Sequence, residues 1–248
     1  LDTTTSTRPA LTFFFPAYNE EPNIERTVAL ALEHIGPLVP SLEVLAIDDG
    51  STDRTPQLAD ALAAADPRVR VVHQKNRGYG GALKAGFANA RGNLIAFSDG
   101  DLQFDLTELA RLLDRLNDPS RPVDAVIGYR IKRMDPFHRL FIAKVYNAIV
   151  SFLFGLRVRD IDCAMKVFRR SVFSGLRLDS EGPFLSAELL IKLNARGVKM
   201  DQVGVSHYPR TAGTNTGASF RKILRTFRDI FKLRWALWTD RERTLSAK

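Results

Sequence analysis

Residues 93–101 read NLIAFSDGD: a short apolar run, Leu94 to Phe97, then a serine and two aspartates held apart by one glycine. An apolar run this short, bounded by turn-forming residues, predicts a buried strand with both aspartates at its carboxyl end. Working outward, residues 11–16 (LTFFFP), 43–48 (EVLAID), 69–73 and 123–128 read the same way. Between them lie helical patterns: Ile24, Val28, Leu32 and Ile35 within 21–35, a stretch from Asp53 to about 65, a glycine-opened stretch 78–90, and 106–116. Strands and helices alternating at short intervals predict an α/β fold, a mostly parallel sheet flanked by helices. Such sheets bind ligands outside the carboxyl ends of their strands. The polar clusters fall there: Tyr18-Asn19-Glu20, Asp48-Asp49-Gly50-Ser51 and Asp99-Gly100-Asp101. From about residue 130 the alternation fades and the chain turns basic and aromatic.

Of the 248 residues, 45% are hydrophobic, enough for one large domain with a real core. The single cysteine, Cys163, excludes an internal disulfide and argues against a thiolate metal cluster, which suits a reducing compartment. Residues 1–9 read as a disordered polar tail without the apolar core of a signal peptide. No run reaches the roughly 18 uncharged apolar residues of a membrane span. The net charge of +8 is uneven: residues 217–248 hold nine Lys or Arg against three Asp or Glu. Such a block suits anionic partners, whether lipid headgroups, phosphates or nucleic acid. No helix-turn-helix or stacking-rich RNA motif is present, so no nucleic-acid partner is expected.

Two carboxylates two residues apart at a strand end can aim at one ion. Hard oxygen ligands suit Mg²⁺ or Mn²⁺ shared with substrate phosphates. Solvated aspartates in a polar turn are the plain alternative, and Asp48–Asp53 is equally a turn and helix cap. Crowding several carboxylates on one rim favours a cation between them. Gly78-Tyr79-Gly80-Gly81 lacks the dinucleotide-binding spacing, since position 83 is Leu, and suits close packing or backbone approach to a ligand. Arg130, Lys132, Arg133, Arg139 and Lys144, opposed only by Asp135, make either a solvated basic face or a phosphate-holding one. Two segments are apolar at helical spacing: Phe137 to Leu156, and Phe220 to Trp238 with Lys and Arg elsewhere around the helix. Both suit a bilayer interface, or docking on the core or on another copy.

Six segments together resemble glycosyltransferase family 2, the inverting GT-A group, and within it the polyprenyl-phosphate branch. They are PAYNE (16–20), DDGSTD (48–53), NRGYGGALKAG (76–86), DGDLQ (99–103), DCAMKVFRR (162–170) and HYPRTAG (207–213). The resemblance implies a Rossmann-like GT-A domain over residues 10–216, and the charge and apolar spacing predict a basic amphipathic C-terminal helix and tail over 217–248. It implies Pro16, Tyr18, Glu20, Asp48 and Asp49 at the nucleotide, and Asp99, Asp101 and Gln103 at a Mg²⁺ or Mn²⁺ ion. It places Arg130, Lys144 and Arg210 at an acceptor phosphate and makes Asp162 a candidate base. The expected donor is a GDP- or UDP-linked sugar and the expected acceptor a polyprenyl phosphate. The expected location is cytoplasmic, peripheral on the cytoplasmic face of an anionic membrane surface. A soluble or saccharide acceptor would instead need a base, Asp162 or Glu188, although Glu188 also suits a salt bridge. A non-catalytic nucleotide-sugar binder is the remaining alternative. Gly100 replaces the alanine usual between the two aspartates, and TAGTNTGAS follows Arg210 where a serine-bearing segment is usual.

Overall fold

The computed structural model describes residues 8–131, 137–210, 228–235 and 239, giving backbone alone for 137–141. Seven strands form one sheet: β1 (Leu11–Ala17), β2 (Leu42–Asp48), β3 (Val69–His73), β4 (Leu94–Phe97), β5 (Ala125–Arg130), β6 (Lys166–Arg169) and β7 (Met200–Val205). Their order is β3-β2-β1-β4-β6-β5-β7. The helices are α1 (Ile24–Leu30), α2 (Thr55–Ala65), α3 (Gly78–Asn89), α4 (Leu109–Asn117), α5 (Phe137–Phe154) and α6 (Leu185–Ala195). The first four strands pair in parallel, as expected for strands joined by helical crossovers. β1 and β2 carry near-continuous apolar runs because both sheet faces are covered. The helix expected over 21–35 is α1 followed by a π turn at Ala31–Ile35 and a short 3-10 turn at Gly36–Leu38, which contains Pro37.

Past residue 130 the sequence pattern missed a reversal. β6 inserts antiparallel between β4 and β5, while β5 and β7 run parallel to each other. β5, β7 and β4 therefore end on the same rim as β1 and β2, and the residues just before β6 reach that rim too. This topology brings Asp99, Asp160 and Asp162 within electrostatic reach of Lys166. Beneath the rim lies an aromatic core. Phe14 stacks on Phe97 at 5.3 Å, and Phe87 of α3 meets both edge-on at 5.0 and 5.5 Å. Such pairs add about 0.5–1.5 kcal/mol each beyond burial. They fix the strand that carries the aspartates.

Candidate active site

Asp99 and Asp101 leave β4 on a turn whose Gly100 is required by packing. A Cβ there would sit 2.9 Å from the Pro16 carbonyl oxygen and 3.0 Å from the Phe15 ring. The Gly100 carbonyl accepts from Thr27 Oγ1 at 3.1 Å, which ties the turn to α1. Asp99 Oδ1 accepts from the Tyr79 hydroxyl at 3.0 Å. Burial, then the neighbouring Asp101, push Asp99 up to about 7. Asp101 is likewise raised, by burial foremost, with Arg210 and His207 opposing. Its Oδ1 accepts from the Gln103 amide at 3.1 Å, and Gln103 Nε2 donates to the Tyr208 carbonyl at 3.0 Å. Gln103 thus joins the β4 turn to the segment that follows β7.

Arg210 stands at the end of that segment. Its Nη2 donates to Glu20 Oε1 at 2.5 Å, and its Nη1 lies 3.9 Å from Asp101 Oδ2. Glu20 is buried, and its other oxygen accepts from Asn23 Nδ2 at 2.6 Å. Burial raises the Glu20 pKa, and Asn23 and Arg210 pull against that. Tyr18 is 41% exposed on the outer side of the same loop, and Pro16 is half-buried. The expectation for α3 also resolves. An added Cβ at Gly80 would lie 2.6 Å from the Glu181 carbonyl carbon and the Gly182 oxygen. Close packing explains that glycine, and it seats Tyr79 against Asp99.

The two aspartates at the end of β2, Asp48 and Asp49, are both buried but differ in their partners. Asp49 Oδ1 accepts from Gln74 Nε2 at 2.6 Å and from the Arg77 amide at 2.8 Å. Asp48 closes its own turn by accepting from the Ser51 amide at 3.0 Å, and its Oδ2 meets His73 Nδ1 at 2.8 Å. His73 Nε2 lies 3.0 Å from Asp60 Oδ1. Its pKa is raised, first by the Asp48 bond and then by Asp60. A histidine whose folded pKa exceeds its unfolded value stabilises fully below the unfolded value, about 6.5, and loses that contribution as pH rises through the folded one. The melting-temperature gap between wild type and His73→Gln should therefore shrink from pH 6 to pH 8.5. A constant gap would mean the ring acts only by packing.

Arg130 ends β5. Its Nε and Nη2 donate to the two oxygens of Asp160 at 2.6 and 2.8 Å, a bidentate pair that is almost wholly buried. Asp162, two residues on, is exposed. Its charge acts on Tyr79, Tyr146, Arg130 and Lys166, which places it on the same rim. Lys144 is exposed on α5 and makes no hydrogen bond or ion pair among the described residues. Glu188 follows its salt-bridge reading. It is buried, pairs with Lys192 at 2.6 Å, and accepts from the Asp179 and Ser180 amides at 2.8 Å each. These bonds commit it to the 179–180 loop. Asp160 and Lys166 escaped the sequence reading, because a four-residue strand beginning with lysine gives no apolar signal.

The rim thus gathers Glu20, Asp99, Asp101 and Asp162 with Arg130 and Arg210. Among the described residues no three His, Cys, Asp or Glu converge as a complete metal cage. The Asp99–Asp101 pair still fits a divalent ion. Burial raises the pKa of both carboxylates and Asp101 raises that of Asp99 further, and a hard cation that shares its remaining positions with phosphate and water relieves that cost.

The sequence model of glycosyl transferase family 2 matches residues 12–177. The chain is a family 2 glycosyltransferase. This family 2 chain is 34% identical over 231 residues to "Glycosyltransferase AglD" of Haloferax volcanii, covering 90% of the chain and 36% of that relative. It is 32% identical over 224 residues to "Polyprenol monophosphomannose synthase" of Mycolicibacterium smegmatis, covering 84% of the chain and 82% of the relative. The chain thus spans about a third of the archaeal protein and most of the mycobacterial one. Among solved structures, glucosyl-3-phosphoglycerate synthase from Mycobacterium tuberculosis with Mn²⁺, UDP and glucosyl-3-phosphoglycerate aligns with a TM-score of 0.67 at 21% identity. That match covers 92% of the chain and 80% of the synthase. The mannosyltransferase PcManGT from Pyrobaculum calidifontis, with GDP-Man and Mn²⁺, aligns at 0.61 and 19%, covering 95% and 75%. These likenesses agree with the α/β, GT-A-like sheet.

Proposed function

We propose that the chain transfers a sugar, with inversion, from a nucleotide diphosphate sugar to a polyprenyl phosphate, using Mg²⁺ or Mn²⁺ at Asp99 and Asp101. One observation carries the reading. A carboxylate pair suited to a metal-bound diphosphate shares its rim with two arginines, Arg130 and Arg210, suited to a second phosphate. The mycobacterial relative named polyprenol monophosphomannose synthase and the Mn²⁺-bound nucleotide complexes of the neighbours support it.

An acceptor phosphate oxygen attacks the anomeric carbon. The new C–O bond forms as the bond to the donor's β-phosphate breaks, and the nucleoside diphosphate leaves. When bound, the ion supplies positive charge to the departing diphosphate. Asp99 and Asp101 hold that ion, and Gln103 braces Asp101 through its amide. Pro16, Tyr18, Glu20 and Asp49 line the nucleotide, with Asp48 keeping the Asp49 turn in shape. Arg130 and Arg210 neutralise and hold the acceptor. A phosphate is already ionised near neutral pH, so no base needs to take a proton from it. Asp162 becomes a base only for a hydroxyl acceptor. The test incubates the chain with Mn²⁺, a panel of UDP- and GDP-linked hexoses and a short polyprenyl phosphate. Metal-dependent formation of a lipid-linked sugar is expected. Transfer only to a saccharide or soluble phosphate would overturn the acceptor.

The chain's outer surface suits such an acceptor. Among the described residues no helix is long and apolar enough to cross a membrane. α5 nevertheless exposes Ile142, Val145 and Phe152, the last 88% exposed, beside Lys144. Within 228–235, Ile230 and Leu233 are buried in the core, while Phe231 and Trp235 are 65% exposed among Arg228, Lys232 and Arg234. Aromatic residues flanked by cations suit an anionic bilayer surface. Sedimentation with phosphatidylglycerol-rich vesicles is expected to be salt-sensitive and to fall about tenfold in Phe152→Asp/Trp235→Asp. Equal binding by the variant would refute the contact.

A further inference from the structure

The turn before β6 is held in place from several sides. Lys166, which starts β6 opposite Phe97 and Ile127, is wholly buried and donates its ammonium to the Cys163 carbonyl. The Ile161 amide donates to Asn147 Oδ1 of α5 at 3.3 Å. Upstream, Gln202 of β7 takes the Arg159 amide at 2.7 Å and donates to the Arg157 carbonyl at 3.0 Å. Asp160 sits in the middle of this braced turn and is itself buried. Its carboxylate receives the Nε–H and one Nη2–H of Arg130, and the Arg130 backbone amide lies 3.3 Å from the same Oδ2. A guanidinium carries five N–H donors in a rigid plane. With the Nε–Nη2 edge held by Asp160, the plane of the guanidinium is set before any ligand arrives.

We propose that Asp160 is a positioning residue for the acceptor phosphate, acting through its bidentate grip on Arg130. The proposal rests on the polyprenyl-phosphate reading given above. Asp160 has two opposed effects on Arg130. It cancels charge, which weakens the pull on a phosphate, and it removes the torsional freedom of a long side chain, which lowers the cost of binding. In a braced turn the second effect governs, and the sign of one substitution separates them. If Asp160 served only to neutralise Arg130, Asp160→Asn would tighten phosphate binding; as a positioning residue it weakens it.

The experiment measures binding of a short polyprenyl phosphate by calorimetry, with Mn²⁺ and nucleoside diphosphate binding as the check on the rest of the site. Asp160→Asn is expected to weaken lipid-phosphate binding about tenfold while nucleotide binding stays within about twofold. Added to Arg130→Ala, it should cause no further loss. Asp160→Glu keeps the charge but moves the carboxylate by one methylene, so it should also weaken binding and serves if the asparagine variant does not fold. Unchanged or tighter binding in Asp160→Asn, or in Asp160→Glu where that variant must serve, overturns the positioning role alone. No binding by the wild type, or no loss in Arg130→Ala, overturns the acceptor reading and the role of Asp160 with it.

Discussion

Asp101→Asn is expected to abolish metal-dependent sugar transfer, by at least about a thousandfold, while leaving the melting temperature unchanged or a few degrees higher. The two halves of this result share one cause. Asp101 is a buried carboxylate beside a second one, Asp99, and burial raises the pKa of both. Without an ion, ionising both carboxylates costs stability. Asparagine keeps the acceptor oxygen that takes the Gln103 amide but removes the charge, so the ligand-free fold is relieved. The same loss leaves Asp99 as a single carboxylate, too weak to hold a divalent ion against water. Mn²⁺ binding by calorimetry, thermal melts and turnover together make the check. Turnover within tenfold of wild type would remove the metal role from Asp101. A melting temperature ten degrees lower would show that the carboxylate holds the fold rather than the ion.

The half of the rim proposed for the donor was legible because its signals are local. Each of β1, β2 and β4 is an apolar run ending in an acidic turn, and parallel pairing then places those turns on one rim whatever the rest of the chain does. Tyr18, Glu20, Asp48, Asp49, Asp99 and Asp101 follow from that rule. It could not separate the two aspartates at the end of β2. Asp48 turns to His73, twenty-five residues away on β3, a contact that strand register creates, while Asp49 takes Gln74 and the Arg77 amide. The half proposed for the acceptor was less legible because it depends on a reversal. β6 is four residues long and begins with a lysine whose ammonium is satisfied inside the protein by the Cys163 carbonyl. Periodicity reads such a segment as exposed loop. Without β6 running backwards, nothing places Asp160 against Arg130. Glu188 illustrates the opposite case: the sequence suited it to a salt bridge, and Lys192, four residues on along α6, supplies one.

Arg210→Ala is expected to move two measurements in opposite directions. Transfer efficiency toward a polyprenyl phosphate should fall about a hundredfold, the cost of one charge-assisted phosphate contact of roughly 2–3 kcal/mol. Mn²⁺ affinity in the absence of substrate should rise several-fold. The second effect follows from where the guanidinium rests: bonded to Glu20 and 3.9 Å from Asp101, it lends its charge to the acidic group that an ion would occupy. A delocalised single charge there competes with a divalent ion, and removing it frees the carboxylates. Alanine also leaves Glu20 buried with Asn23 as its remaining described side-chain donor, so the ligand-free variant should melt a few degrees lower. Arg210→Lys separates the contributions. An ammonium restores the charge beside Asp101 but cannot bridge Glu20 and a phosphate as a planar fork does. It should return Mn²⁺ affinity close to wild type and recover only part of the transfer. If alanine instead weakened Mn²⁺ binding, or slowed hydrolysis of the donor alone as much as transfer, Arg210 would belong to the donor side of the rim, and the acceptor phosphate would be left to Arg130.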